Sequence, residues 1–160
     1  MYKPIWLRIP LFVCLLLAFS SCAPATPSVV SDQEFEAAVQ EAHETMGVIR
    51  QVILAPDQSY RFIGVKVRFT KDNDHFEDHW TEPVDYYDNI FTIRLLEGFT
   101  FDMGLHPDNL IEVSEKDVLD WMVVESDGKL IGGYTIRLTY EHLTPEEKKE
   151  FLKNTGYVID

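Results

Sequence analysis

Residues 117 to 138, DVLDWMVVESDGKLIGGYTIRL, constrain the fold more than any other stretch. An acidic-aromatic step, Asp120-Trp121, opens an apolar run ending at Val124. Asp127-Gly128 is a turn signal, because aspartate and glycine accept the backbone angles that a tight reversal needs. Gly132-Gly133 then frees the backbone just before Tyr134-Thr135, where a new helix or strand begins. The stretch therefore predicts a strand, a tight reversal, a glycine joint and a further element.

The elements before it follow from periodicity. Ser31-Asp32-Gln33-Glu34 is a capping box, in which serine and glutamate each satisfy the other's free amide. Phe35, Ala38, Ala42, Met46, Ile49 and Ile53 recur at helical spacing, which predicts one amphipathic helix from about 32 to 54. Gly47 weakens it locally and Pro56 closes it. Ile63, Val65, Val67 and Phe69 alternate with Lys66 and Arg68, the pattern of a half-buried strand. Lys71-Asp72-Asn73-Asp74 reads as its turn. Phe76, Trp80 and Val84 share one parity in a second strand, where Pro83 predicts an edge or an end. Asp88-Asn89 is the next turn, and Phe91, Ile93 and Leu95 mark a third strand.

Residues 97 to 109 read as a loop and Leu110 to Val113 as a short strand. Ser114 to Asp117 predicts a single helical turn ending near Asp120. Thr144-Pro145-Glu146-Glu147 begins a last helix, with threonine as cap, proline at the first position and acids at the positive dipole end; Gly156 ends it. The sum is an α+β fold: a small curled antiparallel sheet, an SH3-like partial barrel, with an N-terminal amphipathic helix and C-terminal helical segments.

The first 21 residues read as an address rather than as structure. Lys3 and Arg8 give a positive start, and the apolar run from Leu11 to Phe19 is too short to span a bilayer. The end of this segment, Phe19-Ser20-Ser21-Cys22, resembles the lipobox of bacterial lipoproteins. That resemblance implies cleavage before Cys22, acylation of Cys22, and a membrane anchor. Ala23 after the cysteine, by resemblance to Gram-negative lipoproteins, implies the outer membrane facing the periplasm. Residues 22 to 30 are then the lipidated cysteine and a tether. Its APATPSVV segment spans roughly 25 Å when extended. The domain is expected over 31 to 160. The only other cysteine, Cys14, lies inside the leader, so the mature domain carries no thiol for catalysis, redox work or metal binding.

The chain holds 27 acidic against 14 basic residues, and the leader removes two of the latter. Such a field repels phosphate backbones, which argues against nucleic-acid binding, and it suits a basic protein partner.

Four segments carry a wider resemblance: Val65-Lys66-Val67-Arg68-Phe69, Glu77-x-x-Trp80, Asp120-Trp121-Met122 and Gly132-Gly133-Tyr134-Thr135-x-Arg137. In order and spacing they resemble the YegJ-like domain of unknown function in bacteria, over about 60 to 155. Asp78 stands where that family tends to have histidine. The resemblance implies the fold and brings no reaction with it.

No P-loop, dinucleotide fingerprint, nucleophile elbow or zinc-protease motif is present. His75 and His79 are the sharpest metal-ligand pair, with Asp72, Asp74, Glu77 and Asp78 around them. Zinc needs three or four ligands in a defined geometry, and acids at a loop-strand junction are more often solvated, so neither a metal nor a cofactor is expected. The candidate binding surface is Glu77, Trp80, Asp120, Trp121, Gly132, Gly133 and Tyr134. Two functions fit these residues. One is a lipid-anchored envelope module that binds a protein without catalysis. The other is a hydrolase-type enzyme using Glu77 and Asp120 in an aromatic cleft, where an indole would raise a carboxyl pKa. The second requires that the two carboxylates converge.

Overall fold

A computed structural model describes residues 29–72, 75–96, 106 and 109–160. The leader, Cys22, most of the tether and most of the 97–109 segment lie outside the described residues.

Helix α1 (Asp32–Glu44) starts at the expected capping box, with Ser31 Oγ accepting from the Glu34 amide and the Glu34 carboxylate accepting from the Ser31 amide at 2.9 Å. The single helix expected to residue 54 is instead two, and α2 runs Met46–Leu54. The break falls at Thr45, not at Gly47. Thr45 Oγ1 donates to the carbonyls of Glu41 and Ala42, at 2.9 and 3.2 Å. Trp121 Nε1 also donates to the Ala42 carbonyl, at 3.0 Å, and to Thr45 Oγ1, at 3.1 Å. The Ala42 carbonyl is the acceptor that a continuous helix needs for Met46. An indole from far along the chain competes for it, and the helix restarts.

Six strands follow: β1 (Tyr60–Asp72), β2 (His75–Tyr87), β3 (Ile90–Arg94), β4 (Leu110–Ser114), β5 (Val118–Glu125) and β6 (Leu130–Gly132). Their order is β4-β3-β2-β1-β5-β6, every neighbouring pair is antiparallel, and the sheet is open. In β1, Val65, Val67 and Phe69 are buried, as their alternation predicts. Asp88-Asn89 has positive φ at both residues, 47° and 60°, which suits the right-handed twist of the β2–β3 hairpin.

Pro83 occupies a different place from the one expected. It is neither at an edge nor at a strand end; β2 lies inside the sheet between β1 and β3. Pairing with β1 stops at Thr81, pairing with β3 begins at Glu82, and the register shifts between Pro83 and Asp85. A residue without an N–H is tolerated where one partner gives way to another. This handover also curls the sheet. The buried side of β2 is that of Thr81, while Phe76 and Val84 are exposed.

A short 3-10 turn (Glu115–Asp117) leads directly into β5, so Asp120 lies within a strand and not at the end of a helical turn. Helices α3 (Tyr134–His142) and α4 (Pro145–Thr155) complete the α+β fold. Thr144 caps α4 in a second capping box, and Gly156 ends it in the left-handed conformation. The chain then returns along β6: the Leu130 amide donates to the Val158 carbonyl at 3.1 Å.

The core has two parts. On one side of the sheet, Val65, Val67, Phe91, Ile93, Trp121 and Val123 pack with Ala42, Met46 and Ile49 of the first two helices. On the other, Met122, Val124 and Leu130 pack with Phe62, Trp80, Ile136, Tyr157 and Ile159.

Candidate functional site

Asp120 is the centre of the region that holds most of the sequence-predicted residues. It is fully buried. Its Oδ1 accepts from the amides of Trp121 (2.8 Å) and Tyr134 (3.2 Å). Its Oδ2 accepts from the amide and the hydroxyl of Thr135, both at 2.8 Å. Two of these donors are the first amides of α3, which have no partner inside their own helix. The residue before α3 is Gly133, which has no side chain to offer as a cap. Asp120 therefore caps α3 from a neighbouring strand. The anion that a helix N-terminus attracts is here a carboxylate of the same chain.

The glycine pair makes this approach feasible. Gly132 has φ +67°, and a Cβ there would lie 2.5 Å from the Trp121 carbonyl and 2.8 Å from its indole. The Gly133 amide donates to that carbonyl at 2.8 Å. The chain thus turns back tightly against Trp121 and delivers the start of α3 onto Asp120.

Lys66 completes the cluster. Across the sheet it is the register partner of Trp80 on one side and of Asp120 on the other, so all three side chains leave on the same face. Its Nζ donates to Thr135 Oγ1 at 3.3 Å and lies 5.7 and 6.0 Å from the ring centres of Phe35 and Trp80. Thr135 Oγ1 therefore links the ammonium to the Asp120 carboxylate. Burial pulls the Lys66 pKa below its ordinary value, against the opposing charges of Asp78 and Asp120. Burial pushes the Asp120 pKa up, and the hydrogen bonds from Thr135, Trp121 and Tyr134 oppose it. Beside this pair, Arg68 holds Asp78 through two bonds, at 2.6 and 2.8 Å, and stacks on Phe76 at 4.1 Å. The hydrogen bond to Asp78 raises the Arg68 pKa.

Glu77 does not join Asp120. It is the register partner of Phe69, on the opposite parity from Lys66, so it leaves the other face of the sheet. There its Oε2 is 2.7 Å from His79 Nε2. The two carboxylates of the expected acid-base pair are separated by the sheet. Trp80 lies on the Asp120 face, half-buried. Trp121 is a core residue, and Tyr134 packs edge-on against it at 6.1 Å with its hydroxyl 2.9 Å from Thr45 Oγ1. Gly132 and Gly133 act through backbone geometry. His75 Nδ1 meets Asp72 at 2.7 Å, and among the described residues no three His, Cys, Asp or Glu side chains gather as metal ligands would. Of the tyrosine pair near the β2–β3 turn, Tyr86 donates to Glu115 at 2.7 Å, while Tyr87 is exposed.

The candidate surface omits Phe35, Lys66 and Thr135, all of which the cluster uses. Lys66 had a visible signal, as a cation between the buried Val65 and Val67 of a half-buried strand. Thr135 stood in the Gly132-Gly133-Tyr134-Thr135 segment, and Phe35 had no signal beyond its place in a helical pattern.

Among the described residues, an open antiparallel sheet flanked by four helices, with a strand carboxylate seating the start of the third, defines an α+β domain in which a buried carboxylate is linked to a lysine through Thr135. The chain belongs to the bacterial family described as "uncharacterized protein conserved in bacteria (DUF2314)", which matches residues 32–158. The four motif segments that resemble the YegJ-like domain all fall inside that span. No curated protein and no solved structure matches the chain. Among the described residues no helix is long and apolar enough to cross a membrane.

Proposed function

We propose that the chain is a lipid-anchored envelope protein whose domain acts by binding a protein partner, without catalysis. The observation that carries this reading is the state of Asp120. A general acid or base must reach the proton it moves. Asp120 is fully buried and already accepts four hydrogen bonds within the chain. The hydrolase alternative also needs Glu77 beside it, and Glu77 leaves the opposite face of the sheet. The acidic balance, 27 acids against 14 bases, favours a basic partner through long-range attraction. The anchor rests on the lipobox resemblance of Phe19-Ser20-Ser21-Cys22, and an outer-membrane position facing the periplasm rests on Ala23.

The test is crosslinking in intact membranes followed by capture of the full chain and intact-mass analysis. The expected mass starts at Cys22 and includes acyl groups, and the expected capture is one stoichiometric basic protein. An unacylated chain would refute the anchor. Capture of no partner, together with a folded Glu77→Gln variant that fails to complement a deletion strain, would favour the hydrolase.

A further inference from the structure

A groove of about 370 Å³ runs between α1 and α3. Each helix lines it with positions spaced i, i+3, i+4, i+7, one face of a helix. The apolar part is Ala37, Ala38 and Leu138, with the Tyr134 ring beside them. Glu34, Glu41 and Glu141 supply the carboxylates. The groove is at the small end of the roughly 300–1,000 Å³ range of ligand pockets, which suits a few side chains inserted from a partner.

Its charge is one-sided. Arg137 is in the lining, but its guanidinium is held by the chain itself, donating to the Gly132 carbonyl at 2.9 Å and to the Leu130 carbonyl at 2.5 Å. Glu34 is engaged with Ser31 and lies 3.2 Å from His142 Nε2. The side chains of Glu41 and Glu141 have no hydrogen-bond or ionic partner among the described residues. The rest of α1 strengthens the field: its sequence, DQEFEAAVQEAHE, has no lysine or arginine. Two unmatched carboxylates therefore flank a small apolar floor, one from each helix.

We propose that this groove seats a lysine- or arginine-bearing segment of a protein partner. Two of the segment's cations meet Glu41 and Glu141, and a small apolar residue lies against Ala37 and Ala38. This rests on the binding reading above and gives it a surface. The apolar floor favours a peptide segment over a bare cation, because only the peptide brings both kinds of contact. Rim charges of this sort act mainly on encounter and on salt dependence.

The test places a photo-crosslinking amino acid at the exposed Ala37 of the full chain in its membrane, with Lys149 on α4 as the control position. The expected result is an adduct from Ala37 and not from Lys149, to a peptide that sequencing shows to contain lysine or arginine. The double change Glu41→Lys and Glu141→Lys, at two exposed positions, is expected to reduce that adduct roughly tenfold without moving the unfolding midpoint. A synthetic copy of the crosslinked segment is expected to bind more weakly as salt rises, and a copy with its cations replaced by glutamine is expected not to bind. An adduct from Lys149 alone would overturn the groove and leave the binding reading standing. An adduct that ignores the charge reversal, or that falls on a segment without cations, would also overturn the groove. No adduct from either position, together with no partner in the general capture, would refute both.

Discussion

Replacing Asp120 by alanine removes the acceptor for four donors at once: the amides of Trp121, Tyr134 and Thr135 and the Thr135 hydroxyl. A buried donor left unpaired costs about 1–3 kcal/mol. Water entering the vacated space makes the low end apt for each, or about 4 kcal/mol for the set. Removing the carboxylate also relieves its own burial, the cause of its raised pKa, so the net loss is smaller than that sum. The net expectation is a loss of about 3 kcal/mol, or roughly 10 °C in the thermal midpoint of a domain of this size. Urea unfolding at neutral pH, followed by far-ultraviolet circular dichroism, measures it as a lower midpoint at unchanged slope. Asp120→Asn is expected to fall in the same direction, because its amide group presents donors to donors. A loss below about 1 kcal/mol in Asp120→Ala would refute the reading of Asp120 as the cap of α3.

Gly132→Ala places a Cβ against the Trp121 carbonyl in a left-handed backbone, and is expected to cost about 2–4 kcal/mol in the same unfolding assay. Lys66→Met leaves Asp120 without its nearby cation; a double-mutant cycle with Asp120→Asn is expected to give a coupling of about 1 kcal/mol or more, and additivity would contradict the Thr135-bridged pair. Hydrogen bonds from Ser31 and Thr144 hold the Glu34 and Glu147 pKa values below the ordinary carboxylate value. Their stability contribution is therefore present above the unfolded pKa and is lost as pH falls through the lowered folded pKa. The variant Glu34→Gln/Glu147→Gln is expected to show a flatter loss of stability on acidification than the parent, measured by thermal midpoints from pH 6 down to pH 3. Trp121→Phe keeps most of the apolar volume but frees the Ala42 carbonyl for the Met46 amide, and slower exchange of that amide is the expected signature.

The features legible in the sequence are those set by near neighbours. The capping boxes at Ser31 and Thr144, the alternation of β1, the turns at Asp88-Asn89 and Asp127-Gly128, and the stop at Gly156 each depend on a few adjacent residues. The break at Thr45 depends on an indole 76 positions away, so nothing local announced it. Periodicity across residues 32 to 54 is continuous because both helices face the same core. Pro83 misled for a related reason: its missing N–H excludes a fully paired site, and a handover between two partners meets that condition as well as an edge does. For the site, the sequence marked Asp120, Trp80 and the glycine pair, because rare residue types stood close together. It could not say which face of β2 each side chain leaves, and that one fact separates Glu77 from Asp120. Nor could it show that the amides following Gly132-Gly133 meet the Asp120 carboxylate, since strand and helix meet only after folding.

Complementation of a deletion strain with partner capture from the same cells tests most directly whether the domain binds rather than catalyses. Glu77→Gln is the variant to use, because it removes the one carboxylate of the expected pair that does not hold the fold together at α3. The binding reading predicts that this variant complements fully and recovers the same partner in the same amount. A folded Glu77→Gln chain that recovers the partner yet loses the phenotype would contradict it.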